Sequence, residues 1–234
     1  MSIHHHLSEA TLGAFTAGAL IESISLVVAS HISNCPDCRK RRDQLEDIGG
    51  IQLQHSEPEA MSPDALQKVM VKLGKQKLPL VSDPANDPAN DPISSFANGS
   101  APRRSNPEIP KPLRAYVPDR LEDVDWKSMA PGIKYFAITG LNAADGTLSL
   151  LKISPGVNIP EHTHQGIELT QVLKGSFSDE IGRFGVGDIA DLDDDIEHQP
   201  IADTNESCIC LIATEAPLKF TGLMPRLVQY FPGM

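Results

Sequence analysis

Residues 156–175 read GVNIPEHTHQGIELTQVLKG, and this stretch decides the fold of the C-terminal half of the chain. His162 and His164 are separated by one residue, so in an extended strand both side chains point to the same face. Glu168 follows a short turn signal at residues 165–166 and can return to the same point from the next strand. Two imidazoles and a carboxylate suit Zn²⁺, Fe²⁺, Mn²⁺ or Ni²⁺. The stretch therefore predicts a metal site on two neighbouring strands.

Around this stretch, residues 113–234 carry short Val-, Ile- and Leu-rich runs separated by Gly, Pro and Asp. Closely spaced runs of this kind favour a β-sandwich or barrel. We expect strands at 133–139, 147–153, 168–173, 186–192, 207–213 and 217–221. Cys208 and Cys210 share one strand face and are predicted to be apolar filler, with a redox switch as the alternative. The acidic run at residues 191–195 is predicted to be a solvated turn.

Residues 1–78 have the periodicity of helices. Apolar side chains within residues 20–28 recur on one helical face. Pro36 suits the first turn of a further helix, which is predicted to stop at residues 49–50 because both are glycine. Residues 62–64 read Ser-Pro-Asp and signal another helix with a narrow apolar stripe. We therefore predict four helices, the last of them suited to a groove or a partner.

Between these regions, residues 79–112 are predicted to be a linker. Seven prolines lie in the segment from Pro84 to Pro112 inclusive, and the segment contains the repeat DPANDPANDP. Proline, aspartate, asparagine and serine cannot build a core, and proline keeps the backbone extended.

A second cluster of metal-ligating residue types lies at the junction of two predicted helices. His31, Cys35 and Cys38 form the pattern H-x3-C-x2-C, and the break at Pro36 lets all three face one point. A helix N-terminus favours the thiolate form that binds zinc. A structural zinc ion needs four ligands, and the run His4-His5-His6 offers candidates for the fourth. The alternatives are a redox CxxC without the usual βαβ context, a buried core histidine at position 31, and a histidine run left from cloning.

Composition excludes several functional classes. The chain has 234 residues and a net charge of −11, so direct binding to nucleic-acid phosphates is disfavoured. The N-terminus has no basic segment followed by an apolar core, and the apolar stretch Leu12–Val28 is interrupted by Glu22. We therefore expect neither a signal peptide nor a membrane span. The expected location is the cytoplasm, where thiols stay reduced and a CxxC favours metal binding.

Residues 1–75 resemble the zinc-binding anti-sigma domain, in which H-x3-C-x2-C lies at a helix junction and a further histidine precedes the first helix. The segments MSIHHHLSEATLGAFTAGAL and SLVVASHISNCPDC are similar to ChrR-type members of that family. The resemblance implies a Zn²⁺ ion held by His6, His31, Cys35 and Cys38. It also implies a 1:1 complex with a group IV (extracytoplasmic-function) sigma factor, whose access to core RNA polymerase would be blocked.

The pattern G-x5-H-x-H-x3-E-x6-G at residues 156–175 resembles the first cupin motif, and the segment from Gly187 resembles the second. The second motif implies His198 as the fourth ligand beside His162, His164 and Glu168. Its usual Pro, Gly and Asn are replaced by Asp193, Asp195 and Ala202, so the turn before His198 departs from the family pattern.

These observations predict an α + β multi-domain chain: a four-helix zinc anti-sigma domain over residues 1–78, a linker over 79–112 and an all-β cupin barrel over 113–234. ChrR-type proteins pair these two modules and are associated with responses to singlet oxygen and related oxidants. The expected function is thus an anti-sigma factor, not an enzyme, that releases its sigma factor under oxidative stress. The alternatives are a dioxygenase-like cupin enzyme, disfavoured because no acid–base pair accompanies the ligands, and a small-molecule-sensing cupin.

Overall fold

The structure is a computed structural model, and it describes residues 3–75, 108–140, 146–160, 162–163, 166–192, 198–215 and 219–220. Contacts within the chain divide it into two compact units. Residues 1–50 and 105–234 form one unit, and residues 51–104 form the other. The first helices and the sheets thus share one unit, and the domain boundaries at 78 and 112 stay a prediction.

Four helices occupy the N-terminal region, as predicted: α1 (Glu9–Thr16), α2 (Glu22–Asn34), α3 (Pro36–His55) and α4 (Ala65–Lys75). Ser8 caps α1 by accepting a hydrogen bond from the backbone N–H of Thr11. Helix α3 starts at Pro36 but continues past residues 49–50, so the predicted stop there was wrong. Neither glycine has the positive φ that ends a helix, and each costs only about 1 kcal/mol relative to alanine. None of the described helices combines the length and apolar character needed to cross a bilayer.

The strands, in chain order, are β1 (Lys127–Ala130), β2 (Ile133–Ala137), β3 (Thr147–Ile153), β4 (His162–Thr163), β5 (Glu168–Lys174), β6 (Phe177–Ser178), β7 (Arg183–Phe184), β8 (Ile189–Leu192), β9 (Ile201–Ala202), β10 (Cys208–Thr214) and β11 (Lys219–Phe220). Six of them form an antiparallel sheet in the order β1-β2-β3-β10-β5-β8. The strands β7-β6-β9 form a three-stranded sheet, and β11 pairs with β4.

The strands β3, β10 and β5 of the six-stranded sheet are buried on both faces. Alternate side chains such as Leu150, Leu169 and Leu211 belong to one apolar cluster with helices α1 and α2. The intervening side chains, including Val172 and Cys210, belong to a second cluster with residues of the three-stranded sheet. Because both faces are covered, the sequences of β3 and β10 are nearly continuous apolar runs. Helix α2 packs against the sheet as well as against α1.

The sheet-rich region has a cupin-like architecture, but the described strands form layered sheets and do not close into the predicted barrel. Gly175, the last glycine of the 156–175 pattern, turns the chain from β5 towards β6 with φ of 71°. A Cβ there would lie 2.6 Å from the carbonyl oxygen of Ser207, so only glycine fits this turn.

Candidate metal centres

The N-terminal cluster is assembled at the junction of α2 and α3. His31 lies in the last turn of α2, Cys35 ends that helix, and Cys38 lies in the first turn of α3. His6 approaches from the segment before α1, and one ligand atom from each of the four residues lies within 4.8 Å of the others. His31 and both cysteines are buried, and His6 is half-buried. The structure thus brings all four predicted residues together.

The distances within this cluster fit a tetrahedral zinc ion. The Nδ1 atom of His6 lies 3.3 Å from Sγ of Cys35 and 3.7 Å from Sγ of Cys38. The Nε2 atom of His31 lies 3.3 Å from Sγ of Cys38. Zinc–sulfur and zinc–nitrogen bonds of about 2.3 and 2.0 Å at tetrahedral angles separate nitrogen and sulfur by roughly 3.5 Å. Two thiols and two imidazoles are also the donor types of structural zinc sites.

Burial shifts the pKa values of two residues of this cluster. It lowers the pKa of His31 to about 4, although a hydrogen bond to Gly187 opposes the change, so the imidazole is neutral as a metal ligand must be. Burial also raises the pKa of the Cys38 thiol to about 11, and the neighbouring Cys35 adds to the effect. Desolvation therefore outweighs the stabilisation expected from the helix N-terminus. A divalent cation at this site would supply the positive charge that a thiolate here requires.

The sheet region supplies groups that surround this cluster. The Nδ1–H of His31 donates to the carbonyl oxygen of Gly187 at 3.1 Å, which leaves Nε2 to face the cluster. Gly187 has φ of 92°, a conformation that glycine adopts without strain. The backbone N–H groups of His4 and His5 donate to Oδ1 of Asp188 at 2.6 and 3.0 Å. The turn between β7 and β8 therefore orients His31 and holds the segment that leads to His6.

Asp191, the first residue of the acidic run, contacts the start of α1. Its carboxylate accepts hydrogen bonds from the backbone N–H of Ser8 at 2.8 Å and from the hydroxyl of Thr11 at 3.1 Å. The prediction of a solvated turn is thus wrong for this residue, which instead fastens the start of α1 to β8. Residues 193–197 of the acidic run lie outside the described residues.

Of the predicted cupin ligands, the structure places Glu168 and His198. Glu168 begins β5, His198 follows β8 in the chain, and each is only 3% exposed. Both line an interior cavity of ≈ 80 Å³ whose other walls are mainly apolar. His162 lies in β4 with its side chain outside the described residues, and His164 lies outside them entirely.

The orientation of His198 is fixed by Asp179. The Nδ1–H of His198 donates to Oδ2 of Asp179 at 3.1 Å, and both side chains are almost fully buried. Burial opposes ionisation of Asp179, but hydrogen bonds from His198 and from two backbone N–H groups hold the pKa of its carboxyl below the usual value. A carboxylate on one ring nitrogen is typical of metal-ligating histidines, because it orients the imidazole.

Cys208 and Cys210 are both buried in β10, on the same face as predicted. Their sulfur atoms lie 3.5 Å apart, and Cys210 lines the interior cavity. A hydrogen bond with Cys208, together with burial, raises the pKa of the Cys210 thiol. The thiol is therefore protonated, consistent with a role as apolar filler.

Helix α4 presents an uncovered apolar stripe, which we define as Leu66, Val69, Met70 and Leu73. These side chains are 45–74% exposed. The opposite face carries polar groups, including an ion pair between Lys68 and Asp64. An exposed apolar stripe of this kind is typical of helices that bind in a partner's groove.

Comparisons with known proteins find relatives of the sheet region and of the whole chain. The family described as the ChrR cupin-like domain matches residues 117–217. The chain is 42% identical over 231 residues to the anti-sigma-E factor ChrR of Cereibacter sphaeroides, and the match covers 99% of each chain. It is also similar to the crystal structure of Rhodobacter sphaeroides SigE in complex with the anti-sigma ChrR, with a TM-score of 0.71 and 37% identity. That match covers 91% of this chain and 99% of the other.

Proposed function

The chain belongs to the ChrR family of anti-sigma factors, and we propose that it binds a group IV sigma factor in a 1:1 complex and keeps it from core RNA polymerase. Similarity to an anti-sigma factor over 99% of both chains supports this function. The similarity to the structure of ChrR in complex with SigE supports a sigma factor as the partner. Membership of a family of regulators also favours this reading over a cupin enzyme. The site of action we propose is the cytoplasm, where sigma factors meet RNA polymerase.

The structural observation that carries the proposal is the apolar stripe of α4. Its four side chains are about half-exposed or more, so covering them in a groove would contribute roughly 1 kcal/mol each, or about 4 kcal/mol together. An amphipathic helix lying in an apolar groove is a recurrent mode of protein recognition. The net charge of −11 complements the basic surface of a DNA-binding partner.

We assign Zn²⁺ to the N-terminal cluster of His6, His31, Cys35 and Cys38. The donor set, the nitrogen–sulfur distances near 3.5 Å and the burial of three of the four ligands support the assignment. The ion would fix the angle between α2 and α3 and tie the segment before α1 to both helices. The zinc site thus prepares the helical region to bind the sigma factor.

In the cupin region, the proposed ligands are His162, His164, Glu168 and His198, holding Zn²⁺ or alternatively Fe²⁺, Mn²⁺ or Ni²⁺. Support comes from the shared position of Glu168 and His198 on one cavity and from the carboxylate of Asp179 on His198. We propose that oxidative stress such as singlet oxygen is sensed through this site and leads to release of the sigma factor. Family membership and the buried, mainly apolar setting of the site support this regulatory role.

Co-expression with a group IV sigma factor from the same organism tests the function. We expect a stable 1:1 complex by size-exclusion chromatography with light scattering. Val69→Asp places a charge in the stripe and should abolish the complex, whereas Gln67→Asp adds the same charge to the same helix outside the stripe and should leave it intact. Absence of a complex with the wild-type chain, or equal effects of the two substitutions, would contradict the proposal.

A further inference from the structure

One segment of the sheet region, Asp179–Asp188, contacts residues of both proposed metal sites. It contains the turn after β6, the strand β7 and the turn into β8. Its first residue hydrogen-bonds His198 of the cupin cluster, and its last two residues hydrogen-bond the N-terminal cluster and the segment leading to it. We call these ten residues the bridging segment.

At the cupin end, both carboxylate oxygens of Asp179 accept hydrogen bonds. Its Oδ2 atom accepts from His198, while Oδ1 accepts from the backbone N–H groups of Ile181 at 2.9 Å and Gly182 at 3.1 Å. The conformation of the turn therefore sets the position of the carboxylate, and the carboxylate sets the ring of His198.

At the opposite end, two hydrogen-bond acceptors position the ligands of the N-terminal cluster. The carbonyl of Gly187 orients the ring of His31. Asp188 accepts from the backbone N–H groups of His4 and His5, which immediately precede His6, and its other oxygen accepts from Gly185 at 2.8 Å. Asp188 is itself only 3% exposed, so its carboxylate is largely shielded from water.

The middle of the segment is packed against the N-terminal residues as well. The ring of His5 lies 4.2 Å from that of Phe184, and its Nε2–H donates to the carbonyl of Arg183 at 3.1 Å. Phe184 in turn stacks on Phe177 of β6 with ring centroids 4.8 Å apart. Aromatic packing on both sides makes independent movement of the two ends of the segment costly.

We propose that the bridging segment is a positioning element shared by the two metal sites, so that emptying the cupin site weakens the hold on the metal ion at the N-terminal site. The inference rests on the two metal sites proposed above. By thermodynamic linkage the effect is reciprocal, and metal at the N-terminal site strengthens binding at the cupin site.

Cobalt titration of the full chain tests the N-terminal end. The thiolate-to-cobalt absorption that is lost in Cys35→Ser reports on this site alone. All three hydrogen-bond partners of Asp188 are N–H donors. In Asp188→Asn the NH₂ group cannot accept a hydrogen bond, so at least one of the three donors loses its acceptor. We expect cobalt affinity to fall about tenfold or more, as for other groups that orient metal ligands.

Asp203→Asn is the matched control. Asp203 hydrogen-bonds Arg183 of the same segment at 2.8 Å but no residue of the N-terminal cluster, so its removal loosens β7 without releasing His4 and His5. Cobalt affinity should stay within about twofold of wild type. Equal losses in Asp188→Asn and Asp203→Asn, or no loss in Asp188→Asn, would overturn the positioning role.

The connection between the sites is tested by cobalt release from the N-terminal site into a chelator. Glu168→Ala, which removes a cupin ligand, should speed release about fivefold or more, a typical coupling between sites. Glu206→Ala changes an exposed carboxylate and should leave the rate unchanged. Asp179→Asn keeps all eight proposed ligands and should also speed cobalt release. It provides a second test if the Glu168→Ala variant does not fold.

Unchanged release in Asp179→Asn or in a folded Glu168→Ala variant would overturn the connection. The sigma factor takes no part in these measurements. Failure of the anti-sigma function would appear as the absence of a complex while the cobalt results stand, and failure of the bridging segment would leave the complex intact.

Discussion

Replacing Gln171 with methionine should stabilise the protein. Gln171 lies in β5 on the face covered by α2, it is fully buried, and neither polar atom of its side chain has a hydrogen-bond partner among the described residues. A buried polar group without a partner costs about 1–3 kcal/mol. Methionine has a similar length and no such group, and a volume-conserving exchange costs less than about 1.5 kcal/mol. We expect the free energy of unfolding to rise by about 1–2 kcal/mol, or the melting temperature by about 2–8 °C.

Urea unfolding of the metal-loaded chain measures this change. Trp126 is the single tryptophan and packs against the apolar cluster that α2 shares with the sheet, so its fluorescence reports on the relevant interface. Gln44→Met on the exposed surface of α3 is the control and should change the free energy of unfolding by less than about 0.5 kcal/mol. A Gln171→Met variant that is less stable than wild type by about 1 kcal/mol or more would refute the reasoning.

Three further predictions concern single residues. Glu168→Ala should spare the complex with the sigma factor but blunt its release under singlet oxygen, as measured with a sigma-dependent reporter; loss of the complex would mean that the cupin site supports binding itself. Gly187→Ala should cost more than about 1 kcal/mol, since φ is 92° there, and should weaken cobalt binding through His31; wild-type affinity would contradict the role of that carbonyl. Asp191→Ala should lower the free energy of unfolding by about 1–3 kcal/mol, because Ser8 and Thr11 lose their acceptor; an unchanged urea midpoint would contradict this contact.

The parts of the molecule that local chemistry determines could be predicted from sequence. Pro36 begins a helix and places Cys35 and Cys38 beside His31, because a break between two helices fixes the positions of residues only a few apart. The strands β3, β5 and β10 follow from apolar runs within one or two residues of their predicted bounds. In each case, the spacing of residues close together in the sequence was sufficient to predict the local structure.

Contacts between distant parts of the chain could not be predicted in the same way. Asp188 and Asp191 hydrogen-bond residues more than 180 positions away, and no spacing rule connects them to the segment before α1. A search for acidic residues beside the glycine that starts the second cupin motif would have marked Asp188 as a candidate, but not its partners. Likewise the apolar stripe of α2 predicted a buried face without indicating that a sheet covers it.

The end of α3 was mispredicted for a different reason. Two consecutive glycines lower helix propensity, yet propensity is a weak preference that neighbouring turns can override. A glycine ends a helix decisively only when its φ turns positive, and residues 49–50 keep helical backbone angles.

Metal content per chain tests the central claim, that two separate metal sites serve the anti-sigma function. Elemental analysis should find about two ions in the wild-type chain and about one in each of Cys35→Ser and Glu168→Ala, because each substitution removes a ligand from a different site. Two ions retained in Cys35→Ser would contradict the assignment of the N-terminal cluster, and a single ion in the wild-type chain would contradict the existence of two sites.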